Sequence, residues 1–240
     1  MNLLSSRTRP HVNNSRPLAL SERAETFFHR PRSWIARLDW ATVFGSAAAI
    51  PARVEVDLGA GDGGFVAERA RRHPACAFLA VERLLGRTRK IARRAARLDL
   101  ANVRVLRIEA SYAVERLLPP HSVDAITVLF PDPWPKRRHH KNRLLQTSLL
   151  DACARALKPN GWIAIKTDDS AYFAHIRAAA AASPLLQLWN DATAETLLPE
   201  ITDFERDFLK EGRPIHFLAL RPRERAACAA SVPGASSPRC

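Results

Sequence analysis

Acidic residues are scarce in this chain: 24 Asp and Glu stand against 37 Lys and Arg over 240 residues, a formal charge of +13. A compact protein with that excess repels itself unless a polyanion binds it, so nucleic acid is the first expectation and an acidic membrane surface the second. Long apolar runs are missing as well. No stretch approaches the roughly 20 residues of a spanning helix. The basic helical stretches also lack a broad apolar face with Trp or Phe anchors, which weakens the membrane reading. Cys76, Cys153, Cys228 and Cys240 show neither CxxC spacing nor another metal-ligand pattern. They read as free thiols in a reducing cytoplasm, with no metal expected. There is no secretory apolar core. Arg7, Arg9 and Arg16 precede the first acid, Glu22, which fits a basic arm that touches RNA and, faintly, a transit peptide.

Hydrophobic residues make up 47% of the chain, enough for one sizeable core and too little for two full domains. Short apolar runs alternate with helical periods, the pattern of an α/β domain with a mostly parallel sheet. Strands are expected at Arg53–Leu58, Ala77–Glu82, Val103–Ile108, Val123–Phe130, Trp162–Thr167 and Ile215–Leu220. Helices are expected at 84–98, 144–157 and 170–182. In the first of these, Leu84, Leu85, Thr88, Ile91, Ala92, Ala95 and Leu98 share one face, and Arg and Lys cover the rest. We expect residues 1–33 to form a flexible basic arm, 34–222 the folded domain, and 223–240 a disordered tail.

The segment Asp57-Leu-Gly-Ala-Gly-Asp-Gly-Gly follows the first strand. Its glycines permit a sharp turn and close approach of a ligand to the backbone. Gly59, Gly61 and Gly64 also fit a dinucleotide pattern, so the loop alone is a weak signal. The acids sharpen it. Asp57, Glu82, Glu109 and Asp132 each fall at the carboxyl end of one of the first four strands. Ligands of open parallel sheets bind at that end. Four carboxylates suit an amino group, a ribose diol, an adenine amine and a sulfonium, the groups of S-adenosylmethionine. They would repel the pyrophosphate of a dinucleotide.

A further run, Phe130-Pro-Asp-Pro-Trp-Pro-Lys-Arg-Arg-His-His-Lys-Asn-Arg143, closes the fourth strand. Prolines end the strand because they lack an N–H and fix φ. Asp132 is held between two of them, next to Trp134. Lys136, Arg137, Arg138, Lys141 and Arg143 then follow. A rigid acid leading into a cationic stretch suits chemistry on a polyanion. The plainer reading is a proline turn before a solvated charged segment.

Asp57–Gly63, Glu82, Pro131–Lys136, Arg138–Arg143, Thr167-Asp168 and Thr202–Glu205 together resemble the tRNA (guanine-N7)-methyltransferase family, from about Val54 to Arg221. The resemblance implies a Rossmann-like class I methyltransferase fold, a seven-stranded and mostly parallel sheet with helices on both faces. It implies methyl transfer from S-adenosyl-L-methionine to N7 of guanine 46 in the tRNA variable loop. Donor contacts are implied for Asp57, Gly59, Gly61, Glu82, Glu109 and Asp132, with Asp132 also catalytic. Substrate contacts are implied for Lys136, Asp168, Thr202, Asp203, Phe204 and Glu205. RNA contacts are expected along Arg138, His139, His140, Lys141, Asn142 and Arg143. Asp57 stands where the family usually has Glu, Glu109 where it usually has Asp, and Asn142 at a place more often basic. We expect a monomer or homodimer in the cytoplasm, with tRNA as partner and no obligate protein partner.

Some residues carry two readings. Trp134 stacks on RNA or packs inward. Asp169 fits a helix cap, and Thr202 with Glu205 fits a capping box compatible with substrate contact. His175 and His216 read as structural. Competing functions are a nucleotide-binding dehydrogenase, which leaves the Pro131–Lys136 run unexplained, a methyltransferase for another RNA, and a non-catalytic RNA-binding subunit of the same fold.

Overall fold

Val54, Val56 and Leu58 alternate with Glu55 and Asp57 along β1 (Arg53–Leu58), so this strand sends aliphatic side chains to one face of a sheet and carboxylates to the other. A computed structural model describes residues 18–45, 51–191 and 193–223. Its strands β1, β2 (Cys76–Glu82), β3 (Val103–Arg107), β4 (Val123–Leu129), β5 (Leu157–Thr167), β6 (Leu186–Leu188) and β7 (His216–Pro222) form one sheet in the order β3-β2-β1-β4-β5-β7-β6. The pairs from β3 through β5 are parallel, and β7 runs antiparallel to both β5 and β6. The order reverses between β1 and β4, so the crevice of an open sheet lies at the carboxyl ends of those strands.

Helices cover both faces. One core joins Val54, Val56, Leu79 and Ile163 to α2 (Trp40–Phe44), α6 (Thr147–Ala156), α7 (Ser170–Ala181) and a π-helical turn, Ala113–Leu117, that continues α5 (Ala110–Tyr112). The other joins Phe78, Ala80, Val105, Trp162 and Ala164 to α1 (Leu20–Glu25), α3 (Gly64–Arg72) and α4 (Leu85–Arg97). A last helix, α8 (Asp203–Lys210), follows a short 3-10 turn, Ala194–Thr196. The expected fold class is borne out. No helix among the described residues is long and apolar enough to cross a membrane.

Two expectations change. Strand β6 carried no sequence signal, because three residues are too few to show a period; it exists by pairing with β7. The arm expected over 1–33 also overlaps the folded unit. Ala24 and Phe27 are buried, and Arg23 donates to the Ala96 carbonyl at 2.8 Å. Backbone bonds of 2.8 and 2.9 Å tie residues 27–29 to Val105, covering the β3 edge. The surrounding arginines concealed those few apolar contacts. Residues 1–17 and 224–240, with Cys228 and Cys240, lie outside the described residues.

Candidate active site

The glycine loop is anchored on β2: the N–H groups of Gly59 and Ala60 donate to the Val81 carbonyl at 2.8 and 3.0 Å. Gly61 has φ 60° and lends its N–H to Glu82 Oε2 at 3.2 Å, while Glu82 Oε1 accepts from the Leu84 N–H at 2.8 Å. One carboxylate thus joins the loop to the start of α4. Gly63 has φ 79°, and a Cβ there would lie 2.9 Å from Ile91, so α4 packs directly on the loop. Asp57 is buried and accepts from the Thr127 hydroxyl of β4 at 2.6 Å. Burial pushes its carboxyl up to about 7; nearby Glu82 adds to the rise, and the Thr127 bond and Arg69 oppose it. Among the described residues, apart from its chain neighbours, nothing stands within 4 Å of where a Gly59 Cβ would be, so the backbone here is open to a ligand. Open backbone beside two buried carboxylates fits a ligand with amino and hydroxyl groups and a positive centre.

Glu109 is exposed and caps α5, accepting from the Tyr112 N–H at 3.0 Å and from the Ser111 hydroxyl. Asp132 differs from the other three acids: it is exposed and has no hydrogen bond or ion pair with a described residue. Its loop is nevertheless fixed. Phe130 and Trp134 bracket it with φ of 52° and 45°, conformations that bulky L-residues seldom adopt. The Phe130 N–H donates to the Lys166 carbonyl at 2.8 Å, and Arg143 Nε donates to the Pro133 carbonyl at 2.8 Å. The Arg143 guanidinium lies 5.0 Å from the Tyr172 ring centre.

Helix α8 closes over this end of the sheet. Thr202 and Glu205 form a reciprocal capping box, with the Glu205 N–H 2.9 Å from the Thr202 hydroxyl. Both Glu205 oxygens lie 2.9 Å from Lys166 Nζ at the end of β5, a buried pair. Phe204 reaches to 4.0 Å from the Cβ position of Gly61, so α8 borders the glycine loop. Ahead of α8, buried Arg69 of α3 binds Glu55 bidentately, Glu200 Oε2 at 3.0 Å and the Leu197 carbonyl at 3.2 Å. Asp168 pairs with Arg213, whose guanidinium sits 4.1 Å from the Phe208 ring centre.

Residues 51–218 match the protein-family model described as "Putative methyltransferase". The chain is 33% identical over 192 residues to the tRNA (guanine-N(7)-)-methyltransferase of Nitrosospira multiformis, covering 79% of this chain and 81% of that protein. It is 35% identical over 188 residues to the enzyme of the same name from Burkholderia ambifaria, covering 77% and 71%. The chain belongs to the tRNA (guanine-N7)-methyltransferase family. Among solved structures, an antibiotic-resistance methyltransferase, Kmr, shares the fold with a TM-score of 0.51 at 21% identity, over 78% of this chain and 96% of that one.

Against that family the anticipated residues divide. Asp57, Gly59, Gly61, Glu82, Glu109 and Asp132 stand at one end of the sheet, as expected. Lys136, Arg138, Lys141 and Asn142 are exposed on or beside the 3-10 turn Arg137–Asn142, and His139 and His140 are half-buried there. His139 packs edge-on against Trp134 at 5.7 Å, so the half-buried Trp134 has an inward partner. Arg143 is the correction. It is buried, and its guanidinium is spent on Pro133 and Tyr172, which makes it a brace for the Asp132 loop rather than a phosphate contact. Thr202 and Glu205 cap as expected, and Glu205 is fully engaged by Lys166. Asp169 caps α7 through the Tyr172 N–H at 2.7 Å. His175 bonds the Leu145 carbonyl and His216 stacks on Phe173, both structural.

Lys166, Arg69 and Arg213 carried no functional expectation from the sequence, and Gly63 was expected only as one member of the glycine loop. Lys166 ends an apolar run where a cation is out of place, and that was an available signal. Arg69 looked like one more surface arginine, and only the fold shows it buried.

Proposed function

We propose that this protein transfers a methyl group from S-adenosyl-L-methionine to N7 of guanine 46 in the tRNA variable loop. The observation that carries this reading is Asp132: an exposed, unpaired carboxylate on a rigid loop, at the same end of the sheet as the glycine loop. The donor supplies an electrophilic methyl group, and Asp57, Glu82, Glu109 and the backbone at Gly59 and Gly61 would hold it. Guanine N7 has an in-plane lone pair and no proton to lose, so the protein need supply no general base. Its work is orientation of the base and stabilisation of the positive charge that grows on the purine. Asp132 fits both tasks, accepting from the guanine N1–H and amino group while lying near the developing charge. Phe204 and Asp168 border the same crevice, and Lys136, Arg138 and Lys141 would fix the RNA backbone without reading sequence.

The test uses the purified chain alone, labelled donor, and tRNA from cells lacking the modification, followed by nucleoside analysis. Label in 7-methylguanosine at the variable loop is the expected result. Transfer to another nucleoside overturns the assignment of site. Transfer only after addition of cell extract overturns the expectation that no protein partner is required.

A further inference from the structure

Helix α4 has an outward face without a negative charge. From Arg83 to Leu98 there is no Asp or Glu, while Arg87, Arg89, Lys90, Arg93 and Arg97 are exposed. Among the described residues, Arg89, Lys90, Arg93 and Arg97 form no ion pair. Like charges four apart, Arg89 with Arg93 and Arg93 with Arg97, disfavour a helix by a few tenths of a kcal/mol each. No acid in the first turn offsets the helix dipole either. The neighbouring α3 solves the same problem locally, with Glu68 held by Arg71 and Arg72 at 3.0 and 2.7 Å. Among the acids near α4, Glu82 holds the glycine loop and lies 3.9 Å from Arg87 at the helix start, Asp99 pairs with Arg23 of α1, and one carboxylate, Asp62, stands beside the ridge against its exposed cations.

The position of this face adds a second argument. Helix α4 leaves β2 three residues after Glu82, while the Lys136–Asn142 stretch leaves β4. In the sheet order β2-β1-β4, the two basic segments therefore flank β1 and its glycine loop. From Arg89 to Arg97 the ridge runs roughly 12 Å along the helix. Lys90, Arg93, Arg94 and Arg97, with Leu20 and Asp62, border a recess of about 350 Å³.

We propose that the outward face of α4 is a second phosphate-binding surface, which grips the tRNA body while the guanine occupies the site. The inference rests on the reading of tRNA as substrate and extends it to a surface outside the reaction centre. An RNA backbone fits better than a lipid surface: the exposed leucines Leu84, Leu85 and Leu98 stand at the two ends of the segment and Leu20 belongs to α1, while between Gly86 and Arg97 the outward residues include no apolar side chain to insert.

The test is the fourfold variant Arg89→Gln, Lys90→Gln, Arg93→Gln, Arg97→Gln, which keeps good helix formers. Binding of full-length tRNA is measured across a salt series, with methylation of that tRNA and of a short stem-loop carrying the same guanine. We expect the Kd and KM for full-length tRNA to rise about tenfold or more, with a salt slope flatter by up to about 0.9 per lost contact. Stem-loop methylation and donor affinity should stay at wild-type values. Unchanged Kd and salt slope for full-length tRNA overturn the proposal. Equal losses on the stem-loop also overturn it, since the helix would then act on the site itself. Loss of binding to phosphatidylserine-containing vesicles, with tRNA binding intact, assigns the face to membranes instead. If the wild-type chain methylates no tRNA, the functional reading falls, while the binding series still decides the role of α4.

Discussion

The ends of β1 and β2 and the ends of β4 and β5 face the same crevice but are built in opposite ways. On the β1–β2 side the acids are buried and satisfied at short range: Asp57 by Thr127, Glu82 by the N–H groups of Gly61 and Leu84. On the β4–β5 side Asp132 is exposed and unpaired, and the rigidity lies in what surrounds it. Lys166 holds Phe130 with its carbonyl and Glu205 with its ammonium, so one residue aligns the Asp132 loop with α8. Arg143 braces the loop from the other side, and Arg69 tethers the segment entering α8. The first side has its carboxylates fixed by bonds within the protein. The second keeps a charge available and prevents its carrier from moving.

Breaking the alignment at Lys166 should have the largest effect. Lys166→Met leaves the buried Glu205 uncompensated and should destabilise the protein by about 3–5 kcal/mol. The double variant with Glu205→Gln should recover much of that stability in denaturant titrations while methyl transfer stays low. Full activity in the refolded double variant would show that the pair is structural filler.

Next in size is Asp132 itself. Asp132→Ala should lower single-turnover methyl transfer at saturating donor and tRNA by about 10²–10³-fold, the scale of one preorganised electrostatic contact. Asp132→Asn should stay low if charge matters. Neither change should lower the melting temperature, because the carboxylate has no hydrogen-bond or ion-pair partner among the described residues. Unchanged transfer in both variants removes Asp132 from the mechanism.

Asp57 sharpens the contrast through pH. Its carboxyl is raised from 3.8 to about 7 in the folded protein. The stability linked to its protonated form is therefore complete below the unfolded value and is lost as pH rises through about 7. Without ligand, the wild type and Asp57→Asn should melt alike near pH 4. The variant should gain steadily up to about pH 7 and hold a constant lead above it. Parallel melting curves over the whole range would show that Asp57 is not buried as described. Donor affinity, measured by calorimetry, should rise with pH in the wild type and stay low and flat in the variant.

The smallest effect concerns the basic turn. Neutralising Lys136, Arg138 and Lys141 together should flatten the salt dependence of tRNA binding by at most about one log–log unit per residue. Adding Arg143→Gln should lower the melting temperature and methyl transfer without a further change in slope. A fourth increment of slope would return Arg143 to the RNA-facing set.

The acids and glycines at the ends of β1 and β2 were legible because each is bound to a strand end by chain connectivity. An apolar run followed by Asp-Leu-Gly-Ala-Gly, or by a lone Glu, announces its own position. Helix α4 was legible for a similar reason, since its apolar period of 3.6 residues needs no partner to be seen. The expected span 84–98 against the observed Leu85–Arg97 differs only by fraying at the ends. The basic turn was legible in its charge and misread in one member. Arg138 and Arg143 are the same residue type in the same run, and only packing against Tyr172 and Pro133 separates a solvent-facing guanidinium from a buried brace.

By itself, then, the sequence determined the α/β alternation, the strand ends that carry acids, the proline-held Asp132 and the excess of positive charge. These follow from local backbone preferences and from periodicity, which act within a few residues. Tertiary structure alone decided that α1 joins the core, that β6 exists as an edge strand, and that Arg69, Lys166 and Arg213 tie distant segments together. Those features depend on contacts between residues 32 to 131 positions apart, from Leu188 with Leu220 through Lys166 with Glu205 to Arg69 with Glu200. A buried cation and an exposed one read identically in a sequence; the difference between them is the low-dielectric surroundings that only the folded chain supplies.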